Sequence, residues 1–240
     1  MYNADETDIR FAIRHIIGVE AVTELAPFAD YDADICDAVL SEAAKLATEV
    51  IAPLNHSGDA GSKWHPDNTV TTPTGFANAY KALGEGGWTG IGTAEEYSGQ
   101  NMPEILCAAA REMWHSANMG FALCHLLTEG LIHALQTSAS DAQKQMFIPP
   151  MAEGRWTGTM NLTESQAGTD LASIRTQADP VGDHYLIKGQ KIFITYGEHD
   201  MSENILHLVL ARTPNAPAGV KGISVFIVPK FLVNEDGSLG

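Results

Sequence analysis

Apolar residues recur at helical spacing through the first two-thirds of the chain and at two-residue spacing through the rest. Ile9, Ala12, Ile13, Ile16 and Ile17 share one face of a short helix beginning near Asp8, and Pro27 limits the segment after it. Asp32 or Asp34, both good N-cap types, opens a stronger pattern that places Ile35, Val39, Leu46 and Val50 on one stripe until Pro53 stops it. Asn55 to Thr72 is polar and dotted with Gly and Pro, which reads as a loop. A helix carrying Phe76, Tyr80 and Leu83 comes next, with Gly84 as its cap. Three more helices are predicted: Pro103 to about Ser116, Asn118 to about Leu135, and one from Ser140-Asp141 to Pro149-Pro150. The middle one carries Met119, Phe121, Leu123, Leu126, Leu127, Leu131 and Leu135 and has little polar face. It belongs at the centre of a bundle, where Phe121 and Leu127 are candidate pocket-wall residues.

Beyond Arg155 the period becomes two-fold. Strands are predicted over Thr157 to Leu162, Ser173 to Ala178, His184 to Thr195, Asn204 to Arg212 and Gly222 to Pro229. Helices followed by strands, with no alternation, give an α+β multi-domain chain. The N-terminal α-helical domain is residues 1–155, and a middle β-barrel or sandwich-like domain is residues 156–240. Asn234 to Gly240 reads as a loop leaving the last strand, so the chain is expected to stop before a further element.

Composition narrows the function classes. The chain has 240 residues, 45% hydrophobic and 18% charged, as in a folded globular protein. Its formal net charge is −16, which repels phosphate backbones and anionic lipid, so no nucleic acid and no membrane partner is expected. Twelve acids against three Lys or Arg in the first sixty residues mark a solvated helix face. Cys36, Cys107 and Cys124 lack C-x-x-C spacing and cannot all pair, which fits reduced thiols in the cytoplasm. No basic leader and no apolar run of membrane-spanning length is present.

Several apparent motifs dissolve on inspection. Gly84 to Gly90 follows a helix rather than a strand, so it is a helix exit and not a phosphate loop. No Walker motif, H-E-x-x-H or nucleophile elbow occurs, and His125 and His133 are too far apart to share a metal, so no metal is expected. Glu198-His199-Asp200 reads as a polar loop rather than an acid–base cluster.

Two segments are different. In Thr157-Gly158-Thr159-Met160-Asn161-Leu162-Thr163-Glu164-Ser165-Gln166-Ala167-Gly168-Thr169-Asp170, a strand runs into a loop of small and hydroxyl residues that offers close backbone donors. Such donors suit the edge of a planar heterocycle, and Gly168 allows approach without a Cβ. In Ile187 to Gly197, Phe193 offers a stacking face and Thr195 a hydroxyl on the same side of a strand. A β-turn and an ordinary sheet strand would account for the same residues.

Together these segments resemble the acyl-CoA dehydrogenase family. That family's T-E-P-x-A-G-S-D loop stands here as Thr163-Glu164-Ser165-Gln166-Ala167-Gly168-Thr169-Asp170, and its G-x-K-x-W-I-T strand as Gly189-Gln190-Lys191-Ile192-Phe193-Ile194-Thr195. Ser140 to Gln145, Gly154-Arg155-Trp156 and Lys221 to Pro229 are similar too, so the resemblance spans nearly the whole chain. Tyr196 to Met201 and Asn204 to Arg212 resemble the subgroup that includes 3-methylmercaptopropionyl-CoA dehydrogenase. Ser165 replaces the usual Pro, Thr169 a Ser, and Phe193 a Trp, which keeps the donors and the stacking face but loses the indole N–H.

The resemblance implies FAD-dependent α,β-dehydrogenation of an acyl-CoA thioester, with electron-transfer flavoprotein as acceptor and a homo-oligomeric whole protein. Carried over by motif position, Met160, Leu162, Thr163, Gly168, Thr169, Phe193, Ile194 and Thr195 contact the flavin, and Thr169 also touches the substrate. The family's base is a Glu in a C-terminal helical bundle that these residues lack, so none is nominated as catalytic and the chain alone is expected to be inactive. Two alternatives are a flavin-binding, alkylation-response-like protein associating with DNA, which the charge disfavours, and a non-catalytic structural module.

Overall fold

Two aspartates open the helical half. In the computed structural model, which describes residues 2–240, Asp5 caps α1 (Glu6–Phe11) by accepting from Thr7 N at 3.0 Å. After α2 (Val19–Thr23), Asp32 caps α3 (Ala33–Leu46) by accepting from Ile35 N at 2.8 Å. Wide π turns extend both capped helices, over Ala12–Ile17 and Ala47–Ile51. The first rotates the expected stripe off its face, because i→i+5 bonding breaks the 3.6 period. Ile13 is buried, whereas Ile16 is 73% exposed.

The stripe of α3 is likewise displaced. Cys36, Leu40, Ala43, Ala44, Ala47 and Ile51 are buried, while Ile35 is exposed and Val39, Leu46 and Val50 are only half-buried. Ala43, Ala44 and Ala47 let backbones approach closely at the contact, with Leu40 and Ile51 buried beside them. The presumed loop over Asn55 to Thr72 holds α4 (Leu54–Gly58) and a short hairpin, β1 (Lys63–Trp64) with β2 (Val70–Thr71). Helix α5 (Phe76–Glu85) is capped at Gly86, two residues past the expected Gly84. Gly84 has another use: a Cβ there would sit 2.7 Å from Glu153 O.

A 35-residue element, α6 (Glu104–Ser138), breaks at Asn118, whose φ of −159° and ψ of 94° are extended. The arms 104–117 and 119–138 fold back on each other. Arg111 pairs with Glu129, and the rings of Trp114 and His125 meet at 5.4 Å; on a straight helix Arg111 and Glu129 would lie about 27 Å apart. Asn118 Oδ1 caps the second arm by accepting from Phe121 N at 3.0 Å. The sequence therefore places the two helices correctly, but the second is not buried all round: Met119 is 55% exposed and Leu126 39%. Helix α7 (Asp141–Ala152) starts with a Ser140/Gln143 capping box and runs through Pro149 and Pro150 to Ala152. The prolines fall in its last turn, where their carbonyls still accept from Glu153 N and Arg155 N.

Strand β3 (Trp156–Asn161) follows, then the hairpin of β4 (Gln177–Val181) and β5 (His184–Lys188), then β6 (Asn204–Ala211) and β7 (Ser224–Pro229). β3 pairs in parallel with β6, which pairs antiparallel with β7. This three-stranded mixed sheet and the separate hairpin form no closed barrel among the described residues. β4 starts later than expected because Leu171–Ser173 is a 3-10 turn, and β5 ends well before Thr195.

One face of β3 and β6 packs on the helices: Trp156, Leu206 and Leu208 join Leu131, Ile132, Leu135 and Met151 in one core. Gly158 makes this possible, since a Cβ there would lie 2.9 Å from Leu131 Cβ. Gly158→Ala is expected to cost about 1–3 kcal/mol by overpacking, whereas Gly168→Ala, with nothing within 4 Å, is expected to be near neutral. Urea unfolding of both variants checks this; equal stabilities would remove the packing argument.

Candidate functional site

The two motif segments meet through a buried carboxylate. Glu164 is 5% exposed and accepts five hydrogen bonds. Thr176 Oγ1 (2.5 Å), Thr176 N (3.0 Å) and Lys191 Nζ (2.9 Å) reach one oxygen; Arg175 N (2.8 Å) and Gln166 Nε2 (2.6 Å) reach the other. Burial opposes ionisation, but these donors overcome it and hold the carboxyl down at about 2. Lys191 also donates to Leu162 O at 3.0 Å, and Ile192 N to Thr163 O at 2.9 Å. The loop after β3 and the segment after β5 are thereby stitched together.

From that seam the second segment leaves the sheet. Phe193 and Tyr196 adopt φ of 58° and 53°, left-handed values unfavourable for bulky residues, so residues 189–195 form no strand. The expected same-side placement of Phe193 and Thr195 on a strand is therefore corrected. The bends persist because both ends are anchored. Lys191 and Ile192 hold one end, and Tyr196 OH donates to Gly120 O at 2.7 Å at the other. Thr72 N and Oγ1 then donate to Asp200 Oδ1 at 3.0 and 2.6 Å. His199, pushed down to about 4 by burial and the nearby Lys230 charge, accepts from Met201 N at 3.1 Å and lies 2.9 Å from Thr157 Oγ1. Accepting at Nδ1 leaves the proton on Nε2, which donates to Thr157. Glu198 pairs with Lys230. The three residues of this cluster thus face three different partners, as a structural polar loop does.

The predicted contact residues divide accordingly. Gly168, Thr169 and Thr195 are exposed, Leu162, Thr163 and Ile194 half-buried, and Phe193 90% exposed. Ile194 lines a cleft of about 410 Å³ with Asn161, Lys191 and His207. Met160, 39% exposed, shares a side of β3 with Trp156 and Gly158. Phe121 is 1% exposed and edge-on to Phe76 at 5.4 Å; it is core, not a pocket wall. Leu127 is half-buried. The exposed bulky apolar residues on this helix are instead Met119 and Leu126, which the sequence pattern places in the core. An open loop of small residues beside a solvent-facing aromatic fits a planar heterocycle, with room at Gly168 for backbone approach.

Comparison with known proteins finds matches along nearly the whole chain. The family model for the acyl-CoA dehydrogenase N-terminal domain matches residues 36–155, and that for the middle domain matches residues 159–237. A 3-methylmercaptopropionyl-CoA dehydrogenase of Ruegeria pomeroyi is 46% identical over 98% of this chain and 40% of its own. A butyryl-CoA dehydrogenase of Syntrophomonas wolfei is 38% identical over 97% of this chain and 39% of its own. The structure of butyryl-CoA dehydrogenase from Megasphaera elsdenii superposes with a TM-score of 0.66 at 25% identity, covering 84% of this chain and 50% of that one. The chain thus spans about 40% of the length of those curated relatives.

The buried titratable groups set the pH response. Glu164 sits below its ordinary 4.5, so its contribution is complete above about 4.5 and is lost as pH falls toward 2. His125 and His199 both sit near 4 rather than 6.5. The unfolded chain therefore takes up their protons first, and stability falls between pH 6.5 and 4. Each group is worth about 3 kcal/mol. Denaturant unfolding across this range is expected to show both losses, and Glu164→Gln to lower stability at neutral pH by about 3 kcal/mol and abolish the more acidic phase. Wild-type stability that stays flat down to pH 4 would contradict the buried neutral histidines.

Proposed function

The chain belongs to the acyl-CoA dehydrogenase family, and from that premise we propose that it provides the helical and middle domains, residues 1–155 and 156–240, of an FAD-dependent enzyme that desaturates an acyl-CoA thioester. The observation that carries this reading is the Glu164–Lys191 seam, which sets the small-residue loop beside the exposed Phe193. Bound FAD would supply the hydride acceptor.

The chain's own residues then have separable tasks. Phe193 provides a stacking face, and the flanking Ile194 and Thr195 an apolar edge and a hydroxyl. Leu162, Thr163, Gly168 and Thr169 provide backbone and hydroxyl donors around the same heterocycle, with Thr169 turned to the thioester as well. Leu127, with the exposed Leu126 and Met119, offers an apolar wall for the acyl group. Proton abstraction falls to none of the carboxylates considered: Glu164 is saturated with donors and Glu198 is paired with Lys230. The similarity to the 3-methylmercaptopropionyl-CoA and butyryl-CoA enzymes supports a short acyl group, sulfur-containing or plain. Electron-transfer flavoprotein as acceptor, a homo-oligomeric whole protein and a cytoplasmic setting complete the proposal. No helix among the described residues is long and apolar enough to cross a membrane.

Phe193→Ala tests the stacking role. Being 90% exposed, Phe193 contributes little to the fold, so the variant is expected to keep its unfolding midpoint while FAD affinity, read by flavin fluorescence, drops about tenfold. Unchanged FAD affinity would sink the assignment. Protein that does not bind FAD would sink the wider reading.

A further inference from the structure

The segment that presents Phe193 is tied to the helical half at one point. Among the described residues, the bond from Tyr196 OH to Gly120 O at 2.7 Å is the single hydrogen bond joining residues 189–197 to α6. Gly120 lies in the first turn after the break at Asn118, directly beside Met119 and on the same arm as Leu126 and Leu127. Burial pushes the Tyr196 phenol up from its ordinary 10.0, so it keeps its proton, and donates, throughout the neutral range.

What moves with that oxygen is a small rigid unit. Gly197 N donates to Ile194 O at 3.1 Å, closing a tight turn from Ile194 to Gly197. Thr195 and Tyr196 are its central residues, so a shift of the Tyr196 ring carries Ile194 and Thr195 with it. Upstream, Ile192 N is bonded to Thr163 O, which leaves Phe193 alone between that bond and the turn. Downstream, His199 and Asp200 hold the chain beyond the turn, not the turn itself. Packing does not fix the ring on every side. It meets His199 edge-on at 5.7 Å, but it also borders a cleft of about 380 Å³ lined by Asn55, Gly58, Ser62, Phe76 and Asn118. The phenol hydrogen bond therefore decides where, within that space, the turn sits.

We infer that Tyr196 is a positioning residue that ties the flavin-facing segment Phe193–Thr195 to the acyl wall of α6, so that a ligand seated on either one favours binding at the other. The inference rests on the acyl-CoA reading above, which supplies both ligands. Tyr196 is assigned no contact with either; it acts through the turn that carries Ile194 and Thr195, and through Phe193 just before it. An acyl group that settles Met119, Leu126 and Leu127 also settles Gly120, and Gly120 holds the turn in place for the flavin. Linkage makes the effect reciprocal: bound flavin favours acyl binding by the same factor.

FAD affinity is read by flavin fluorescence, with and without butyryl-CoA, in wild type, Y196F, F193A and F193A/Y196F. Y196F keeps the ring and loses one hydrogen bond. It is expected to bind FAD about fivefold more weakly, and to lose the tightening of FAD by butyryl-CoA that wild type shows. In the double variant the two losses are expected to fall short of additive, because removing Phe193 removes part of what Tyr196 positions, whereas a merely structural loss would add in full. Y196F with wild-type FAD affinity, or full additivity in F193A/Y196F, overturns the inference and leaves the acyl-CoA reading intact. Wild type that binds FAD and butyryl-CoA independently of each other overturns it as well, and that measurement needs no variant to fold. Wild type that does not bind FAD overturns the acyl-CoA reading itself.

Discussion

Everything exposed in the candidate site hangs from one carboxylate that is not exposed at all. Glu164 lies at the point where the loop after β3, the approach to β4 and the segment after β5 converge, and it receives a hydrogen bond from each of them. A buried charge is tolerated only when its lone pairs are filled, and here five donors fill them. The consequence is directional. With Thr176, Arg175 and Gln166 committed inward and Ala167 buried and bonded to Glu164, the loop is pinned as far as Ala167, and Gly168 and Thr169 beyond it face solvent. The chemistry of the site is thus prepared by a residue that has no part in it.

The helical half contributes through a comparable device. Asn118 terminates one arm of α6 with its extended backbone and caps the next with its side chain, so the chain reverses without a long loop. That reversal brings Arg111 onto Glu129 and leaves the following turn, Met119-Gly120, at the surface. Gly120 is where Tyr196 attaches. The helix break and the aromatic segment are therefore coupled through a single hydrogen bond, with Asp200 on Thr72 as a second strap nearby.

Legibility in the sequence depends on which interactions are local. Caps at Asp32 and Ser140, the two arms on either side of Asn118 and the change from helix to strand near Arg155 all depend on neighbours within a few residues, and all were legible. The motif pair around Thr163 and Lys191 was legible too, as a resemblance in which Glu164 had no stated task. That task depends on donors 11, 12 and 27 residues away, which no local pattern encodes. The same limit explains the failures. Phe121 looked like a wall residue because its burial is decided by Phe76, and the segment to Thr195 looked like a strand because its alternation is apolar while its pairing partner is a single carbonyl, Thr163 O.

The left-handed bends at Phe193 and Tyr196 carry this reasoning one step further. Each costs on the order of 1–3 kcal/mol; Tyr196 is half-buried against the helical core and His199, whereas Phe193 is 90% exposed and gains nothing from packing. The first bend is therefore held by the Lys191–Glu164 pair before it, and the second by packing and the Tyr196–Gly120 bond. Three residues, Phe193, Ile194 and Thr195, are thus held at both ends and unsupported between them. A flat ligand laid against Phe193 would provide the missing contact, replacing water on one aromatic face without breaking any bond the fold already makes. A segment whose strain is fixed by its anchors and whose contacts are left for a ligand is organised for binding before the ligand arrives.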